Sequence, residues 1–157
     1  MIVDLAWIDA IKKHTSFALL MLDVDNFKKY NDHYGHQAGD DCLRSIAHAV
    51  EAVIDEINAK NSTMDTFVAR YGGEEFAVVI PGATVAACEY ISNRIVEDVR
   101  KLGIPHELNS DFGVVTVSVG GSRTESAAGL AATLFRDADA ALYRAKDKGR
   151  NRVECSD

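Results

Sequence analysis

The sequence is short of residues that interrupt or cross-link a chain: of 157, only 2 are proline and 3 are cysteine. Pro81 and Pro105 stand apart, and no repeat, low-complexity tract or Pro/Gly/Ser-rich linker separates one part from another. Residues 1–157 are therefore expected to form one domain. Cys42, Cys88 and Cys155 form no CxxC pair, which argues against a disulfide framework or a structural zinc site and suits a reducing compartment. Positive charge is scarce too, with 17 Lys and Arg against 24 Asp and Glu, a formal charge of -7. That excess argues against binding to a nucleic acid polymer or an anionic membrane, because such binding draws on Lys and Arg. There is no apolar run long enough to span a bilayer and no signal-peptide pattern at the start. The expected setting is cytoplasmic, with no membrane contact by this domain.

What is present is 47% hydrophobic residues, sufficient for a core, arranged in alternating elements. Ile2 to His14 is weakly helical, and Phe17 to Leu22 is an unbroken apolar run that reads as a buried strand ending at Asp23. A short helix is expected over Phe27 to Tyr34, and a longer one from near Gly39, with Leu43, Ile46, Ala47, Val50, Ile54 and Ile57 on one face. Thr66 to Tyr71 and Glu75 to Ile80 read as strands joined through Gly72-Gly73-Glu74 in a tight hairpin. Thr84 is a candidate cap for a helix to Leu102, and Phe112 to Gly120 alternates as a strand. Leu130 to Ala145 marks a last helix that Gly149 should stop. The order implies an α/β sandwich, a mostly antiparallel sheet covered by helices, as in nucleotide cyclase and polymerase palm domains.

Two acidic sites stand out. Asp23-Val24-Asp25 closes the buried strand, and alternation puts both aspartates on one side if the backbone stays extended. Magnesium takes one or two carboxylates plus substrate phosphates, so acids at a strand end suit nucleotide-metal chemistry, although solvated acids there need no metal. In Gly72-Gly73-Glu74-Glu75-Phe76 two adjacent glutamates repel each other in a hairpin turn, a cost that a cation between them and Asp23 would relieve.

This five-residue pattern after Arg70-Tyr71 resembles the signature of GGDEF-domain diguanylate cyclases, with Glu as the first acid. Two more blocks match: Asp23 through Asp40, which includes Gly35-His36 and Gly39-Asp40, and Asp137 through Lys146 followed by Gly149-Arg150-Asn151. The resemblance implies a five-stranded sheet and an enzyme that condenses two GTP molecules into cyclic di-GMP as a homodimer, one GTP per domain. It further implies magnesium, or manganese in its place, on Asp23, the Val24 carbonyl and Glu74. Asn31 and Asp40 would bond the guanine edge, where a carboxylate accepts from N1–H and the exocyclic amine, which favours GTP over ATP. Lys28, Lys146 and Arg150 fall at positions near the triphosphate, and the amides of Asn26 and Phe27, at a helix start, are further donors. His36 would shape the guanine loop. His33 and His36 have no further His or Cys partner, which argues against zinc. Glu74 or Glu75 would help remove the hydroxyl proton, with ligand and base roles left open between them.

Two departures from the family pattern affect regulation. Where the family carries an inhibitory Arg-x-x-Asp, this chain reads Thr63-Met64-Asp65-Thr66, so strong product inhibition at that site is not expected. Residues 1–14 match the family's opening stretch poorly, so the chain is expected to continue an absent upstream region. The alternative reading is a GGDEF-like sensor that binds GTP or cyclic di-GMP without turnover. A second is a related-fold cyclase that closes its ring within one nucleotide.

Overall fold

The computed structural model describes residues 2–61 and 65–156. Thr63 and Met64 of the altered inhibitory segment lie outside the described residues. In chain order the elements are α1 (Ile2–Lys13), β1 (Phe17–Val24), α2 (Phe27–Tyr34), α3 (His36–Lys60), β2 (Phe67–Tyr71), β3 (Glu75–Pro81), α4 (Val85–Lys101), β4 (Val117–Thr124), α5 (Ala131–Asp147) and β5 (Val153–Cys155). The strands form one sheet in the order β2-β3-β1-β4-β5, antiparallel except for the β4–β5 pair. This is the expected mostly antiparallel sheet with helices on both faces.

β1 is central because each of its eight residues is buried and both its edges are paired. Leu20, Leu22 and Val24 face one way and pack with Ile46, Val50 and Val53 of α3 and with Ile91, Ile95 and Val99 of α4. Each such side chain contributes about 1.5–3 kcal/mol when fully buried. Phe17, Leu19 and Met21 face the other way, toward Trp7 of α1 and Leu134, Ala138 and Leu142 of α5. The Thr84 hydroxyl accepts from the Ala87 amide at 3.0 Å, which makes it the N-cap of α4 as its sequence position implies.

Three boundaries differ from the sequence expectations. α3 begins at His36 rather than near Gly39, because the chain reverses at Gly35 (φ 94°) and the Gly39 amide already donates to the Gly35 carbonyl at 3.0 Å. The strand expected over Phe112 to Gly120 lies later, at Val117–Thr124. The strand does not stop at Gly120: Gly120 and Gly121 both pair with β1, opposite Met21 and Leu20. A Cβ on Gly120 would run into the backbone of Ala138 and Leu142, so the glycine is there to let α5 lie directly on the sheet. Residues 112–116 instead lead into β4 through a loop, tied by a Pro105–Val114 bridge. The fifth strand, Val153–Cys155, has no periodic signal because it is only three residues long and borrows its place from β4.

Candidate active site

The end of β1 is where the sheet, a hairpin turn and two helices meet. Asp23 stands opposite Glu75 on β3 and Ser118 on β4. One step on, the Val24 amide donates to the Glu74 carbonyl at 3.4 Å, which fixes the Gly72–Glu74 turn beside the strand end. Gly72 takes a left-handed conformation (φ 67°) as a tight hairpin requires, and the Arg70 guanidinium folds over the turn to donate twice to the Gly73 carbonyl, at 2.8 and 3.3 Å. From the α5 side, the Lys146 ammonium donates to Asp23 Oδ2. The other carboxylate oxygen, Asp23 Oδ1, is buried without a partner among the described residues.

Electrostatics mark the same spot. Burial pushes the Glu74 carboxyl above the ordinary range, Asp23 and Glu75 add to the rise, and Lys146 opposes it. Glu75 is raised by burial, then by Asp23 and Asp139, again against Lys146. Four carboxylates thus share one ammonium, an arrangement that a divalent cation relieves. The residues fit such an ion through the orphaned Asp23 oxygen and through carboxyls that cannot all ionise cheaply without one. Among the described residues no three His, Cys, Asp or Glu side chains group as a ready metal cage.

Asp25 does not join this cluster. It lies on the same side as Asp23, as alternation predicts, but it is 1% exposed and spent on structure. Ser118 Oγ donates to Oδ1 at 2.6 Å, and Thr116 Oγ1 and the Asn151 amide donate to Oδ2 at 2.7 and 3.0 Å. The last bond ties the basic turn after α5 to the β1 end. In that turn Arg150 and Asn151 are left-handed (φ 66° and 49°), and the Arg150 amide caps α5 through the Ala145 carbonyl at 2.9 Å. Asn26 is left-handed as well (φ 54°, ψ 36°) and opens α2 without a side-chain cap bond to its first-turn amides. A non-glycine residue there is strained by about 1 kcal/mol or more. Phe27 is buried and stacked on Tyr30, and Lys28 is exposed on the first turn of α2.

The proposed guanine residues sit on adjacent helices. A Cβ at Gly39 would collide with Asn31 Oδ1, so glycine there lets α3 press against α2. Asn31 Oδ1 is itself buried with no partner among the described residues. Asp40 is exposed and lines a groove of about 450 Å³ with Leu43, Arg70 and Phe76. His36 is exposed on the first turn of α3, and His33 pairs with Glu107 at 3.4 Å. Two neighbours of the site were missed in the sequence. Asp139 lies seven residues before Lys146, hence on the same face of α5, a spacing that was available to be read. Arg70 was seen only as a flank of the signature, and its fold over the turn is a tertiary contact.

The family profile described as diguanylate cyclase, GGDEF domain, matches residues 2–152. The chain belongs to the GGDEF family. Diguanylate cyclase A of Treponema denticola is 36% identical to this GGDEF domain over 145 residues, covering 92% of this chain and 36% of that protein. The probable diguanylate cyclase DgcT of Escherichia coli is 32% identical over 151 residues, 94% of this chain and 31% of that protein. The domain thus spans about a third of the length of these relatives. Among solved structures, the active GGEEF domain of a diguanylate cyclase from Vibrio cholerae superposes with a TM-score of 0.77 at 28% identity, covering 98% of this chain and 90% of that one. The GGDEF domain of DgcB from Caulobacter crescentus, in complex with cyclic di-GMP, gives 0.78 at 35%, with 97% and 84% covered. Among the described residues no helix is long and apolar enough to cross a membrane.

Proposed function

We propose that this GGDEF domain is a diguanylate cyclase that joins two GTP molecules into cyclic di-GMP, releasing two pyrophosphates. The observation that carries the reading is the acidic cluster at the β1 end, where Asp23 keeps an unpartnered buried oxygen beside Glu74, Glu75 and Lys146. Asp23, the Val24 carbonyl and Glu74 would hold magnesium. When bound, that ion supplies Lewis-acid polarisation of the phosphate and lowers the pKa of a nearby hydroxyl.

The protein's own groups do the rest. Asn31 and Asp40 orient guanine, Asp40 as an acceptor for its N1–H and exocyclic amine, with Leu43 and Phe76 in the adjoining groove. The amides of Asn26 and Phe27, with Lys28 and Arg150, receive the phosphates, and Lys146 offsets charge on the departing pyrophosphate. His36 shapes the loop between α2 and α3. The 3'-oxygen of one GTP bonds to the α-phosphorus of the other, the bond from that phosphorus to pyrophosphate breaks, and the hydroxyl proton passes to a carboxylate. Glu75 suits that task, because burial and neighbouring acids hold it above the ordinary range and make it a better proton acceptor. The second bond forms by the same steps with the roles of the nucleotides exchanged. Each domain presents one such half-site, so catalysis requires two copies facing each other.

The test is product mass after incubation with GTP and magnesium at high protein concentration, beside Glu74→Gln. Cyclic di-GMP is expected from the parent and a loss of about a hundredfold or more from the variant. GTP bound but unconverted by a demonstrated dimer would replace this reading with a sensor. A cyclic mononucleotide product would replace it with ring closure inside one nucleotide.

A further inference from the structure

The left-handed Asn26 is held from outside its own helix, by the loop between α4 and β4. His106 is fully buried, and its Nε2 lies 3.1 Å from the Asn26 carbonyl. A carbonyl only accepts, so the ring carries its proton on Nε2. Its Nδ1 has no partner among the described residues, and its faces are enclosed by Tyr30, edge-on with centroids 5.1 Å apart, and Tyr34 at 6.3 Å. Asn109, 2% exposed, accepts from Asn26 Nδ2 at 2.9 Å while its own amide donates to the Val114 carbonyl at 2.8 Å and to Thr116 Oγ1 at 3.0 Å. Thr116 passes the chain on, donating its hydroxyl to Asp25 and accepting the Asp25 amide at its carbonyl, at 2.9 Å. The loop that carries these side chains is closed on itself by bonds from the His106 amide to the Gly113 carbonyl and from the Gly113 amide to the Asn109 carbonyl.

A buried imidazole and a buried amide, each aimed at one strained residue, are more than packing demands. Either could be replaced by an apolar side chain if only the core needed filling, whereas Asn26 would then relax toward the favoured right-handed region. That relaxation would turn the first amides of α2 away from the β1 end. We propose that His106 and Asn109 are positioning residues that clamp Asn26 in its left-handed state, so that the opening turn of α2 presents its amides to the nucleotide phosphates. The inference rests on the phosphate role given to that turn above. It adds a control element, the α4–β4 loop, that touches neither substrate nor the acidic cluster.

The experiment uses the whole chain with His106→Phe, which keeps ring shape without a donor, His106→Gln, which restores an N–H, and Asn109→Leu. Amide hydrogen exchange in the nucleotide-free protein reads the clamp itself. The Tyr30 amide, which donates to the Asn26 carbonyl, and the Asp25 amide should exchange about tenfold faster in His106→Phe and Asn109→Leu, relative to Leu20 in the same protein. His106→Gln should lie close to the parent. GTP with magnesium should bind about tenfold more weakly to the first two variants, while guanosine, which never reaches the turn, should bind within about twofold of the parent. Unchanged exchange at Tyr30 and Asp25, or equal losses for GTP and guanosine, would overturn the proposal. Should His106→Phe fail to fold, Asn109→Leu decides on the same two readouts. If the parent binds no GTP, the nucleotide reading falls, and the clamp is judged on exchange alone.

Discussion

The two faces of the sheet are built by different rules. Toward α3 and α4 the strands present Leu20, Leu22, Phe76, Val78, Ile80, Val117 and Val119, which meet a continuous layer of Ile and Val. Toward α1 and α5 the same strands present an apolar patch of Phe17, Leu19 and Met21 but interleave it with Asp23, Ser118, Gly120 and Ser122, and α5 comes down until the Gly120 backbone touches its own. One face is filled for stability. The other is thinned so that a helix can deliver Lys146 to Asp23 and hold Asp139 beside Glu75. Close approach needs small residues, and chemistry needs polar ones, so the second face gives up apolar burial for position.

Adjacent glycines give the sharpest way to break that comparison. Gly120→Val would drive its side chain into the main chain of Ala138 and Leu142, and a loss of about 3 kcal/mol or more is expected by denaturant unfolding. Gly121→Ala points to the other face, where its Cβ would meet the tip of Leu20 at 3.1 Å and Cys155 Sγ at 3.4 Å. Those atoms can give way, so the change should stay within about 1 kcal/mol. Comparable losses at both positions would mean that the faces do not differ in how they tolerate volume.

Ile46→Ala removes a fully buried side chain from the α3 face, and about 3 kcal/mol should be lost. Guanosine and GTP affinity of the folded fraction should be unchanged. A marked affinity loss would show that the apolar face also positions the site.

The smallest effect expected concerns pH. Glu74 is held above its ordinary range in the folded chain, so between the unfolded and folded pKa values the folded state binds more proton than the unfolded one. Its contribution to stability is greatest below the unfolded pKa and falls as pH rises through the folded one. Glu56, Glu97, Glu125 and Glu154 are lowered by their Lys and Arg partners and act with the opposite sign, their contribution fading as pH falls through the depressed values. Those four are common to parent and Glu74→Gln, so the difference between the two isolates Glu74 together with its repulsion of Asp23 and Glu75. In metal-free buffer the variant should melt higher than the parent at pH 8, and the gap should shrink toward pH 4. A gap that stays constant across that range would remove the strained carboxyl from the account.

Much of this is legible in the sequence. The apolar run at Phe17–Leu22, the stripe on α3 and the cap at Thr84 are local patterns, and period and capping chemistry act within a few residues. The hairpin glycines with their two acids were legible for the same reason. β5 was not, since three residues hold no period, nor was the true span of β4, where Gly120 serves contact with α5 rather than a turn. Asp23 and Asp25 look alike in the chain. Only the fold separates them, leaving one with an open oxygen and saturating the other with three donors from 91 or more residues away.

By itself the sequence determined most of the helices, the strands up to β3, the family and the residue types that gather at the end of β1, because these follow from local periodicity and from a contiguous motif. The tertiary structure alone decided which carboxylate stays available, that Lys146 sits on Asp23, and that His106 and Asn109 reach back across some 80 residues to Asn26. Such pairings depend on through-space distance and burial, and neither is encoded in the spacing of residues along the chain.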